Sequence, residues 1–331
     1  MKRKMSDWQK LQAYLTPGQE VVLLVHEKPD GDCLGSALGF GLFLQDKGYE
    51  PVLYLPKPIP QQYDFLPGKA MIKVAAEGSV PEKTTIIAID CGDLQRWNYS
   101  IPSSSPILNV DHHVSNTMFG VVNVVNTNAS AAGEIIYQIM CEADWNITSE
   151  VATCLYVAIS TDTGSFRYSN VTPETFRIAG ELVRAGAELD LIRNELFESR
   201  PLTELITMGR ALESLTFSAQ SRVACAHLSH AVLSKENLLD AETDGIIGMM
   251  RATEGVELAI VFKEPESGKV RVSFRSKSYV DVNQLAQLFQ GGGHPRAAGC
   301  TIEGEITEVI SRVVSEANRL VTEGSIDERG N

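Results

Sequence analysis

Apolar residues in the first half of the chain come as short, unbroken runs separated by longer stretches of mixed character. "EVVLLVH" (20–26), "PVLYLP" (51–56), "TTIIAID" (84–90) and "SPILNVD" (105–111) carry apolar, often β-branched residues at most positions. A strand without a polar face is buried on both sides, which predicts a parallel sheet flanked by helices. Segments 33–48, 130–143 and 149–161 read as helices, the first closing at Gly48. Strand alternating with helix is the doubly wound, largely parallel α/β arrangement.

From residue 188 to 214 the chain turns helical and charged, with Pro201 splitting it, and this stretch is the predicted linker between residues 1–187 and 215–331. Beyond it, "SRVACAHLS" (221–229), "VELAIVFKE" (256–264) and "KVRVSFRSK" (269–277) read as strands, with helices expected at 234–252, 281–289 and 306–322. "EPESGK" joins two of these strands with hairpin residues. The pattern predicts a second, smaller mixed α/β domain followed by a polar, frayed tail from residue 323. A chain of 331 residues suits two such domains.

Charge narrows the function. With 29 Lys and Arg against 42 Asp and Glu, the net charge is −13. Such a chain lacks the track of cations that neutralises the phosphates of long nucleic acid, so any grip on an anionic substrate is local. Six cysteines lie scattered with no C-x-x-C pair, the usage of reduced thiols in a cytoplasmic protein. The basic N-terminus lacks a signal-peptide core, and runs such as "VVLLV" are too short to span a bilayer, so no membrane partner is expected.

The candidate chemistry stands at the carboxyl ends of the apolar runs. The first is followed by His26, Asp30 and Asp32, the third ends at Asp90, and the fourth leads into Asp111, His112 and His113. The helix after them ends at Thr161 and Asp162, with Gly164 close behind. Ligands of open α/β sheets bind at these ends. Singly, each residue has an ordinary explanation: an Asp as a turn former, His26 as a core histidine, Cys33 as helix packing, the glycines at 291–293 as a mobile loop. Together the carboxylates would repel one another unless a cation neutralised them. Six ligand-type side chains exceed one tetrahedral zinc, and an oxygen-rich set suits two hard divalent ions, Mn²⁺ above all. Paired ions serve in-line phosphoryl displacement. A turn after the strand lets His112 coordinate while His113 faces the phosphate, with Asp111 fixing an imidazole tautomer. Arg271, Arg275 and Lys277 alternate along one strand and so share a face.

"HEKPDGD", "AIDCGD", "VDHH" and "STDTGSF", in that order, resemble the four motifs of the DHH phosphoesterase family. With "GGGHPRAAGC" added, the chain is similar to the NrnA-type oligoribonucleases and pAp phosphatases of that family over about residues 20–302. The resemblance implies a DHH catalytic domain and a DHH-associated C-terminal substrate-binding domain. It implies one ion on His26, Asp30 and Asp90 and another on Asp32, Asp90, His112 and Asp162, with Asp90 bridging. His113 would contact the scissile phosphate. Arg275, Gly292, Gly293 and His294 would form a substrate clamp across a cleft that opens about the linker. The implied substrates are RNA of about two to five nucleotides, pAp, and linear dinucleotides such as pApA, cut by direct attack of a metal-bound hydroxide. The competing expectations are a cyclic-dinucleotide phosphodiesterase, an inorganic pyrophosphatase and a non-catalytic nucleotide sensor. A homodimer is the expected assembly.

Overall fold

Val21, Val22, Leu23 and Leu24 of the first apolar run are all essentially inaccessible to solvent, as a central parallel strand requires. The computed structural model describes residues 5–74, 78–82, 84–94, 99–199, 201–241 and 243–327. The basic residues 2–4 and the last four of the tail therefore lie outside the described residues. The chain divides into two units, residues 1–199 and 200–331.

The first unit runs α1 (Asp7–Gln12), β1 (Glu20–Leu24), α2 (Gly31–Asp46), β2 (Glu50–Leu55), β3 (Ile72–Val74), β4 (Gly78–Ser79), β5 (Thr85–Ile89), β6 (Tyr99–Ser100), β7 (Ile107–Asp111) and β8 (Val122–Val125). Four helices follow: α3 (Ala132–Glu142), α4 (Ser149–Asp162), α5 (Pro173–Arg184) and α6 (Leu189–Phe197). Six strands form one sheet in the order β3-β2-β1-β5-β7-β8. Every pairing in it is parallel. Val22 pairs with Val52 on one side and Ile86 on the other, so the winding reverses between β1 and β5. A crevice opens at such a switch point.

The two faces of this sheet are covered differently. Val21, Leu23, Ile87 and Leu108 pack with residues of α2, α3 and α4. Val22, Leu24, Ile86 and Ala88 pack instead with Tyr54, Val80, Ile101 and Phe119. Among the described residues no helix contributes to this second cluster, so the flanking helices gather on one face.

The second unit contains α7 (Leu202–Glu213), β9 (Thr216–Ser218), β10 (Val223–Leu228), α8 (His230–Lys235), α9 (Asp244–Ala252), β11 (Leu258–Glu266) and β12 (Lys269–Ser276). It ends with α10 (Val282–Gln287), β13 (Gly292–His294), β14 (Ala297–Glu303) and α11 (Ile306–Asp327). Its mixed sheet has the order β13-β14-β12-β11-β10-β9, parallel only between β10 and β11. Helices α10 and α11 cover one face, while α8 and α9 pack on the other around Ala224, Ala259 and Val261.

Two expectations for this unit need correction. The single helix at 234–252 is two, because Asn237 adopts a left-handed φ of 55° and Leu238 N–H returns to the Leu233 carbonyl at 2.8 Å. That six-to-one bond is a Schellman stop. The tail expected to fray from residue 323 continues as helix to Asp327. The glycine run forms a strand: Gly292–His294 pairs antiparallel with Ala297–Gly299.

Candidate active site

The N-terminus of α2 is set by Asp30, whose carboxylate accepts the Cys33 N–H at 3.1 Å. An aspartate there satisfies an otherwise unpaired donor of the first turn. Within the same first turn, Asp32 is buried and fully engaged on its protein side. It accepts Ala132 N–H at 2.7 Å, Gly133 N–H at 3.1 Å and the Ser36 hydroxyl at 3.0 Å. Glycine lets α2 lie almost on the backbone of α4: a Cβ at Gly35 would meet the Cys154 carbonyl at 2.3 Å, and one at Gly31 would meet Thr161 at 2.5 Å. This contact carries Asp162, the last residue of α4, to the same edge as Asp32.

Asp90 follows β5 in a left-handed conformation, φ 56°, with its N–H bonded to the Val110 carbonyl at 2.9 Å. Aspartate tolerates that conformation better than most residues. Its carboxylate is buried, and Oδ1 has no hydrogen-bond donor. His26 Nε2 stands 3.7 Å from Asp90 Oδ2 and 3.7 Å from Asp30 Oδ2.

The adjacent histidines lie side by side, with ring centroids 4.8 Å apart, but take different hydrogen-bond partners. His112 Nδ1–H points at the Ala129 carbonyl, 3.3 Å away. Its Nε2 is thereby aimed at Asp32, Asp90 and Asp162, at 3.7, 3.4 and 3.7 Å. His113 Nδ1–H instead donates to Asp111 Oδ1 at 2.7 Å. Asp111 is held from behind by Asn116, which donates to Asp111 Oδ2 at 2.5 Å and to Asn109 Oδ1 at 2.8 Å. Neither asparagine was anticipated, although a polar residue inside the apolar run "PILNV" was a visible signal.

Electrostatics follow from this crowding. Burial and the charges of Asp90 and Asp162 push the Asp32 carboxyl well above its usual range. Burial likewise raises Asp90, and it raises Asp162 to about 6. Burial opposes charge on His112, but the Asp90 contact and the Asp32, Asp90 and Asp162 charges overcome it and lift the imidazole to about 10. The hydrogen bond that His113 donates to Asp111 raises His113. Asp111 itself is lowered: burial works against the charge, but the His113 and Asn116 hydrogen bonds outweigh it.

Carboxylates this close to one another need positive charge, and the donor set fits divalent ions. Three overlapping groups have all their ligand atoms within 4.8 Å: His26, Asp30, Cys33 and Asp90; Asp90, His112 and His113; Asp32, His112 and Asp162. The orphaned Asp90 Oδ1 is the kind of acceptor a cation completes. Cys33, expected only to pack, is fully buried yet lies within the first group.

In the second unit, His294 pairs with Ala297 and Ala297 pairs with Arg275. Residues opposite one another across strands point to the same face, so Arg275 and His294 share one, with only alanine between them. Arg275 donates to Asp244 at 2.8 Å and to the Phe274 carbonyl at 3.1 Å. Gly293 has a φ of +152°, where a Cβ would meet the Ala297 carbonyl at 2.5 Å, so only glycine fits. Its N–H is bonded to Asn283 Oδ1 at 3.0 Å. Arg296 instead anchors the Val280 carbonyl at 2.7 Å.

A parallel sheet with carboxylates and imidazoles gathered at its switch point, joined to this mixed-sheet unit, defines a DHH-type phosphoesterase. The chain belongs to the DHH family. Residues 20–159 match the DHH family N-terminal domain and residues 223–323 the DHHA1 domain. It is 30% identical over 303 residues to the bifunctional oligoribonuclease and PAP phosphatase NrnA of Thermus thermophilus, covering 91% of this chain and 90% of that protein. To the protein of the same name from Bacillus subtilis it is 27% identical over 286 residues, covering 85% and 89%. An exopolyphosphatase-related protein from Bacteroides fragilis shares the fold, with a TM-score of 0.84 at 22% identity over 95% of each chain. Among the described residues no helix is long and apolar enough to cross a membrane.

Proposed function

We propose that this chain hydrolyses phosphoester bonds in very short oligoribonucleotides, in pAp and in linear dinucleotides such as pApA, with two divalent ions, Mn²⁺ by preference. The observation that carries the reading is the convergence of His26, Asp30 and His112 on one buried carboxylate, Asp90, whose Oδ1 has no donor, with Asp32 and Asp162 gathered on the other side of His112. The names of the two relatives above supply the substrate class. His26, Asp30 and Asp90 would hold one ion, and Asp32, Asp90, His112 and Asp162 the other. When bound, such ions polarise phosphoryl oxygens and lower the pKa of water.

The chain's own groups do the rest. Asp111 keeps a proton on His113 Nδ1 and favours the imidazolium, so Nε2–H is a charged donor for a phosphate oxygen. Arg275 and His294 form a short-range grip in the second unit. A chain at −13 offers no long basic track, which sets the limit on substrate length.

Substrate length tests this reading. Rates on a dinucleotide, a pentanucleotide and an RNA of about 20 nucleotides should fall at least about tenfold beyond five nucleotides, with a shallow salt slope of roughly −0.7 per contacted phosphate. Arg275→Ala should weaken the short substrates by about 1.5 kcal/mol, close to tenfold in kcat/KM and at the low end for a charged hydrogen bond. The low end applies because Arg275 already has Asp244 as a partner. Processive cutting of the long RNA, or preference for pyrophosphate or cyclic di-AMP, contradicts the assignment.

Ion uptake should also release protons. His112, lifted to about 10, is protonated at neutral pH in the metal-free protein, and an imidazole ligates only when neutral. A raised pKa means that protons compete with metal at every pH below it, so affinity rises as pH goes from 6 to 9. Titration calorimetry near pH 7.5 in two buffers of different ionisation enthalpy should give about one proton released from His112. Identical heats in both buffers would contradict it.

A further inference from the structure

Hydrogen bonds from several parts of the first unit end on one five-residue stretch, Ala129 to Gly133, which leads into and includes the first two residues of α3. His112 Nδ1–H points at the Ala129 carbonyl (3.3 Å), while Asp32 accepts the N–H groups of Ala132 and Gly133 (2.7 and 3.1 Å). Asp162 makes its link indirectly. The Asn170 amide donates to the Ser130 carbonyl at 3.0 Å and to the backbone carbonyl of Asp162 at 3.1 Å. Building on the two-ion reading, we infer that Asn170 is a positioning residue that stations Asp162 for the ion it would share with Asp32 and His112.

Asp162 is the member of that set that most needs holding. The Asp32 and His112 side chains are 1% and 14% exposed, whereas that of Asp162 is 33% exposed. It ends α4, where helix carbonyls run out of intrahelical donors. Directly beyond it, Gly164, Ser165 and Phe166 are all left-handed, with φ of 54°, 58° and 61°. The chain therefore leaves the helix in a sharp reversal just where a ligand must stay still. Asn170, on the far side of that reversal, ties it to the stretch that already holds the other two ligands.

The amide is oriented without ambiguity, because both of its near partners are carbonyls and only nitrogen can face them. Its Oδ1 is left buried with no hydrogen-bond partner. An asparagine kept at that cost is present for its donors. The other group is anchored elsewhere: Asp30 on Cys33 N–H and Asp90 through its own backbone bond to Val110. Losing Asn170 should thus weaken one ion and spare the other.

Mn²⁺ titrations of the metal-free full chain, followed by calorimetry and by electron paramagnetic resonance, test this in wild type, Asn170→Ala and Asn170→Ser. Wild type should show two binding events. In Asn170→Ala one event should weaken by about ten- to a hundredfold, the usual effect of removing an outer partner of a ligand, while the other stays within about twofold. Asn170→Ser, which keeps a single donor, should fall between. Raising Mn²⁺ should restore kcat in both variants without changing KM. A single event in wild type removes the two-ion reading and this inference with it. Two events in wild type that persist unchanged in Asn170→Ala, or weaken together, overturn this inference alone. So does failure of both variants to fold, since the residue would then serve the fold and not one ion.

Discussion

Asp90→Asn should lower kcat by about a thousandfold or more while leaving the metal-free fold intact. The size follows from the role proposed above: a carboxylate that bridges both ions would take several kcal/mol of transition-state stabilisation with it, and each 1.4 kcal/mol is about tenfold. Asparagine is the better probe than alanine because Asp90 sits at φ 56°, a conformation that asparagine adopts readily and alanine resists. It also removes a buried charge beside Asp30 and His112 whose carboxyl is already pushed upward by burial. The metal-free variant should therefore melt no lower than wild type. The stabilisation by Mn²⁺, about 2.7 kcal/mol at a hundred times Kd for a single site, should shrink sharply. Thermal melts with and without Mn²⁺, beside initial rates, measure both halves. Wild-type rates from this variant, or full activity in EDTA, would exclude the two-ion mechanism.

The neighbouring histidines should separate just as clearly. His113→Ala is expected to lower kcat by about 10²–10³, the cost of removing one preorganised donor from developing charge, with little change in KM. Both ions should remain bound, because His113 Nδ1 is committed to Asp111 at 2.7 Å. His112→Ala should instead lower metal occupancy, since its Nε2 faces three carboxylates within 3.7 Å. Native mass spectrometry counts the ions in each variant, and equal loss in both would contradict the division of labour. Asn116→Ala offers a milder check on the same chain of contacts. It frees Asp111 on one side and should lower kcat without loss of metal.

Some of this was legible in the residues alone. The apolar runs declared a buried parallel sheet because a strand covered on both faces can carry almost nothing else. Aspartates and histidines clustered at the ends of those runs, and the sheet's geometry brings such ends to one edge. Asp30, Asp32, Asp90, Asp111, His112, His113 and Asp162 could therefore be named in advance as a group.

What holds them could not. Asp32 is pinned by an amide 100 residues away, and Asp162 is tied to Asn170, which reaches back 40 residues from its own position to the Ser130 carbonyl. Backbone amides and carbonyls are present at almost every position, so no local pattern marks the ones a fold will use. The same reason hid the pairing that puts Arg275 and His294 in one row, because register belongs to strands meeting in space. Sequence determined which chemistry was available and at which end of the sheet it would stand. The tertiary structure decided which nitrogen of each histidine faces the carboxylates and which glycine N–H is already taken, because hydrogen-bond partners are chosen by distance in space and not along the chain.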